Sequence, residues 1–140
     1  MPRTKTKPLT QKNYRDMAEF RYLLRSFLAF SEEAARQAGL APAQHQALLA
    51  IKGFPGDKPP SMGDLAERLY VRHHSAVGLV DRLVIAGWLM RTTDSEDARK
   101  VVLTLTRAGE AKLGALQSAH RDELKKLAPL MRKVLAQIGR

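Results

Sequence analysis

The sequence predicts a mainly α chain of the α+β type, with helices throughout and one short two-stranded β-hairpin past its middle. Three observations carry this. Apolar residues recur at a spacing of 3–4 in every long segment without Pro or Gly. The period switches towards 2 between Leu89 and Leu105, in a β-branched stretch. Helix-terminating and helix-starting residues stand where these periods change, at Pro59-Pro60-Ser61, at Gly87 and at Thr106.

The elements follow in order. From Lys12 to Ala38 the chain lacks Pro and Gly and reads as one long helix. Its Phe20, Leu23, Leu24, Phe27, Leu28 and Phe30 wrap more than half of the helical surface, too much for a helix with one side in water. A helix through Gln44 and Leu48 follows, then a Pro-containing linker, KGFPGDKPP. Ser61 is a candidate N-cap with Asp64 three residues on, as in a capping box. Leu65, Ala66 and Leu69 then share one face, and Tyr70 and Val71 form the turn. The next helix, about Arg72 to Ala86, buries Ala76, Leu79, Val80 and Leu83 and ends at Gly87, a C′ glycine. Two strands come next, Leu89 to Thr93 and Lys100 to Leu105, joined by a polar tip, Asp94 to Arg99. Thr106 can cap a new helix beginning Arg107-Ala108-Gly109-Glu110, and Ala111 to Lys126 forms a second long helix, with Leu113, Leu116, His120, Leu124 and Leu127 near 3–4 spacing. Pro129 is expected to end or kink it, and a last short helix carries Leu130, Val134 and Ile138. Helix, turn, helix and hairpin in this order make a winged helix-turn-helix, a unit whose usual task is to place one helix in a DNA groove.

Residues 61–113 resemble the DNA-binding core of the MarR family, the multiple-antibiotic-resistance regulators. The matching pieces are Asp64-Leu65-Ala66-Glu67-Arg68-Leu69, Leu79-Val80-Asp81-Arg82-Leu83, Ala86-Gly87-Trp88, Asp97-x-Arg99 and Leu105-Thr106-x-x-Gly109. Leu40-x-Pro42-x-Gln44-x-x-x-Leu48 resembles the family's second helix more loosely. Three positions depart from the pattern. Arg72 stands where a small hydroxyl cap is usual, Gly78 where a basic or polar residue is frequent, and Ala98 in what is often a more charged wing. The resemblance implies a single domain over 1–140, with 12–38 and 106–140 as dimerisation helices around a 40–105 winged lobe. It also implies a homodimeric transcription regulator, commonly a repressor released when a small aromatic or phenolic compound enters a cleft between the halves. Tyr14, Tyr22, Arg25 and His45 lie on helices that would border such a cleft; for His45, a satisfied structural histidine is the competing reading.

Composition narrows the function classes. Zero cysteines removes disulfides, thiolate metal sites and a thiol redox sensor. No run of eighteen apolar residues offers a membrane span, and the basic start, MPRTKTKPLTQKN, lacks the apolar region of a secretory signal, so a cytoplasmic chain is expected. The net charge of +10 invites a polyanion. Its distribution is uneven. The first 25 residues hold seven basic against two acidic groups, while 72–107 hold six against four. Solvated terminal helices and a basic N-terminal tail on phosphates are the two readings of that excess.

Catalytic arrangements are not found. His73 and His74 are adjacent, about 100° apart on a helix, and cannot chelate one ion well. His120 and Glu123 read as a surface pair or part of a dimer contact. Ser75 has no base that could orient on it, and Gly53-x-x-Gly56 lies in the linker rather than between strand and helix. No cofactor motif occurs, and no enzyme is expected. The expected interface is instead the outward face of the second helix of the pair: Arg72, His73, His74, Ser75, Val77, Gly78 and Arg82 towards the major groove of double-stranded DNA. Arg99 and Lys100 lie on the wing, with Asp97 shaping its turn. Val77 is suited to a thymine methyl, with ordinary core as its other reading. Arg99 is suited to a narrow minor groove, with a surface pair to Asp97 as the plainer alternative. The helices outside the lobe cannot close a core alone, so a second copy is expected, giving two recognition helices about one DNA turn (~34 Å) apart on a palindrome. The competing function is an architectural winged helix gripping DNA or RNA backbone without sequence preference.

Overall fold

The computed structural model describes residues 6–140. Its elements are α1 (Gln11–Gln37), α2 (Pro42–Lys52), α3 (Met62–Leu69), α4 (His73–Ile85), β1 (Leu89–Thr93), β2 (Val101–Leu105) and α5 (Arg107–Ile138). The chain divides into two compact units, residues 31–119 and, separately, 1–30 with 120–140. The winged unit of residues 31–119 takes in the end of α1 and the first turns of α5.

Local chemistry explains the boundaries of the winged unit. Pro42 opens α2, where its missing N–H costs nothing, and the Gln44 side chain accepts the Ala41 N–H at 2.9 Å. The capping box of α3 forms as expected: Ser61 Oγ accepts the Asp64 N–H at 3.2 Å, and Asp64 Oδ2 accepts the Ser61 N–H at 3.0 Å. Gly87 follows α4 with φ +85, the left-handed conformation a C′ residue needs. Tyr70, between α3 and α4, has φ 55 without being glycine. Thr106 ties three elements together. Its Oγ1 accepts the Gly109 N–H at 3.0 Å and donates to the Gly87 carbonyl at 2.6 Å, while its own N–H reaches the Trp88 carbonyl. Gly109 is required by packing, because a Cβ there would lie 2.0 Å from the Trp88 carbonyl oxygen.

The core of this unit joins Ala35, Leu40, Leu48 and Ile51 to Leu65, Val80, Leu83, Leu89, Leu103, Leu105, Leu113 and Leu116. β1 and β2 pair antiparallel in the register Leu89↔Leu105, Arg91↔Leu103 and Thr93↔Val101. The linker before α3 joins the hairpin, since the Leu103 N–H donates to the Pro60 carbonyl at 2.9 Å. Lys112 spans α1 and the hairpin, donating to the Ala38 carbonyl at 2.6 Å with its ammonium 5.1 Å from the Trp88 ring centroid.

Two expectations outside the lobe are corrected. α5 runs unbroken through Pro129 to Ile138, so no separate last helix exists. Proline removes one backbone hydrogen bond, and at this exposed position water can solvate the carbonyl left behind. His120 is not a surface residue but is buried, with the Phe27 and Phe30 rings edge-on to it at 6.0 and 5.3 Å. Glu123 is only half-buried one turn on. In the same unit Leu24, Phe27, Leu124, Leu127, Ala128, Met131, Arg132 and Leu135 line an apolar groove of about 360 Å³.

Candidate nucleic-acid interface

α4 has two faces. Ala76, Leu79, Val80 and Leu83 are buried, and Arg72, His73, His74, Ser75, Asp81 and Arg82 are exposed. Arg72 is the N-cap, extended at φ −72 and ψ 155, and makes no side-chain capping bond. The first backbone N–H groups of α4 thus have no side-chain acceptor at the cap. Val77 and Gly78 are half-buried at the edge between the faces. Packing within the chain does not demand glycine at 78. A Cβ there would meet only the Arg82 guanidinium, at 3.6 Å, an ordinary contact.

Asp81, an acid on an otherwise basic face, is taken up by Arg91 of β1, which pairs with it and fastens α4 to the base of the wing. The wing tip is shaped by its acids. Asp97 Oδ1 accepts the Arg99 N–H at 3.0 Å and meets Arg99 Nε at 3.4 Å. Asp94 Oδ1 accepts the Glu96 N–H at 3.0 Å. The carboxylate holds the turn and touches the guanidinium weakly. The Arg99 side chain stays 93% exposed, and Lys100 is exposed beside it.

One cation of this region was not legible in the motif pattern. Lys58 Nζ lies 2.7 Å from Glu96 Oε2 and 4.0 Å from Asp94 Oδ2. The hydrogen bond to Glu96 holds its ammonium above the ordinary lysine range, and the charges of Asp94, Glu96 and Asp97 act in the same direction. The signal that could have found it is the surplus of acid at the tip, Asp94, Glu96 and Asp97.

The four effector candidates are not gathered in one unit. Tyr14, Tyr22 and Arg25 are exposed on α1 within 1–30, whereas His45 is buried in the winged unit with Nε2 2.7 Å from Gln117 Oε1. None of them lines the apolar groove. Among the described residues no group of three or more His, Asp or Glu could hold a metal ion. No helix there is long and apolar enough to cross a membrane.

Residues 38–100 match the family model described as MarR family. Over this span the chain is similar to the MarR family. The matched span takes in α2, α3, α4 and the wing tip, the parts just described. A crystal structure of a MarR family transcription regulator is 27% identical over 86% of this chain and 76% of that one, with a TM-score of 0.65. Two more distant solved structures share the fold. AbsC from Streptomyces coelicolor is 19% identical over 87% and 82% of the chains (TM-score 0.69). The S. aureus MepR–DNA complex is 18% identical over 88% and 85% (TM-score 0.65). No curated protein sequence matches this chain.

Proposed function

We propose that this chain is a sequence-specific, double-stranded-DNA-binding transcription regulator that works in the cytoplasm as a homodimer on a palindromic operator. We propose further that it is a repressor relieved by a small aromatic or phenolic ligand. The observation that carries the reading is the division of α4, whose fully apolar stripe is buried under an outward face of Arg72, His73, His74, Ser75 and Arg82. That face offers donors and acceptors to base edges and cations to phosphate. MepR, which shares the fold, has been solved on an oligodeoxyribonucleotide. Support for a second copy comes from the exposed apolar side chains outside the winged unit, among them Tyr22, Leu24, Leu28, Leu130 and Leu135. Ligand release would be a population shift towards a helix spacing that mismatches the operator, with Tyr14, Tyr22, Arg25 and His45 as its candidate contacts.

Selection of bound fragments from random or genomic DNA tests the specificity. A palindrome should emerge and outcompete bulk DNA by about 10³-fold or more. His74→Ala or Ser75→Ala should change the preference among variants of that palindrome. Equal affinity for all fragments would favour the architectural binder of backbone.

A further inference from the structure

We propose that Lys58 is a positioning residue for the wing, its ammonium holding Asp94 and Glu96 so that an acidic hairpin tip can be presented to DNA. This rests on the reading of the wing as a DNA contact. The tip has a charge problem, because carboxylates beside Arg99 and Lys100 repel phosphate. The acids at 94 and 97 have a structural job. Asp97 Oδ1 accepts the Arg99 N–H, and its carbonyl accepts the Lys100 N–H at 3.0 Å. Asp94 accepts the Glu96 N–H, its own N–H closes the hairpin on the Lys100 carbonyl at 2.9 Å, and its side chain is only 9% exposed. Their charge therefore has to be offset rather than removed.

Lys58 does this from outside the hairpin. The Pro60 carbonyl, bonded to the Leu103 N–H, fixes the linker beside β2, and the Ser61–Asp64 capping box fixes where the linker ends. From that anchor the ammonium reaches Glu96 and Asp94. Arg99 and Lys100 are left exposed for a partner. An exposed ion pair contributes little to stability. Its consequence here is where the loop sits and what field it shows.

A double-mutant cycle on the full chain tests this, with Lys58→Ala made alone and together with Asp94→Asn and Glu96→Gln. Asparagine keeps an acceptor for the Glu96 N–H. Binding is read by titrating the selected DNA fragment, and loop closure by hydrogen exchange at the Asp94 and Lys100 amides. Lys58→Ala should weaken binding about five-fold, speed both exchanges and leave the salt slope unchanged, and Lys58→Arg should restore binding. In the background with the neutral tip, Lys58→Ala should change neither readout. An equal loss in both backgrounds, with the salt slope shallower by about one contact, would make Lys58 a phosphate contact and overturn the proposal. So would wild-type binding and exchange in Lys58→Ala. A wild-type chain that binds no DNA would overturn the DNA half together with the wing reading, while the exchange measurement separately decides whether Lys58 holds the loop.

Discussion

At the wing tip, Asp97 and Arg99 divide one short turn between them. The carboxylate is engaged with the backbone, and the guanidinium, touched only at 3.4 Å, projects into solvent. Arg99→Ala should leave the fold intact and weaken operator binding by about 1–3 kcal/mol. The salt slope should become shallower by about one contact per subunit if phosphate is the partner. Wild-type affinity in this variant would reduce the pair to a stiffener of the hairpin. Gly78 sets a second test at this scale. A Cβ there meets nothing closer than an ordinary contact, so Gly78→Ala should stabilise the chain by about 1 kcal/mol through helix propensity. If glycine serves close approach to DNA, the same variant should bind more weakly. A melting temperature that rises with affinity unchanged would assign Gly78 no part in binding. Residues that act on near neighbours in sequence were legible beforehand. Ser61 with Asp64, Thr106 with Gly109, and Asp97 with Arg99 all bond two or three positions apart. The partners of Lys58 and Arg91 were not, because Glu96 and Asp81 reach them only through the tertiary fold.

Elements were legible wherever periodicity and termini agreed. α3, α4 and the hairpin lie where capping, glycine and alternation placed them, because each signal acts within a turn or a strand pair. α5 defeated the rule at Pro129. A proline penalises a helix by a local amount, and the helix continues on both sides of it. Pro129→Ala should restore the missing amide opposite the Lys125 carbonyl and raise thermal stability, by up to about 3 kcal/mol. An unchanged or lower melting temperature would mean that the helix accommodates the proline at no cost. His120 was read as half of a surface pair or as part of a dimer contact, because its aromatic neighbours, Phe27 and Phe30, belong to the other end of the sequence. Periodicity within α5 cannot show what covers a position.

On the scale of the whole molecule, the winged unit has its own buried core, and the helices outside it expose apolar side chains. Leu130 is 53% exposed and Leu135 49%. If a second copy covers them, Leu130→Glu with Leu135→Glu should shift the chain to a monomer in sedimentation while the far-ultraviolet spectrum of the winged unit persists. A wild-type chain that sediments as a stable monomer at micromolar concentration would remove the dimer from the account. The central claim is that this chain reads sequence, and competition binding tests it most directly. The selected palindrome is titrated at about 0.15 M salt against the same duplex scrambled. A preference of about 10³-fold or more, lost when the half-sites are moved by half a helical turn, is the predicted result. Equal affinity for the two duplexes would contradict it.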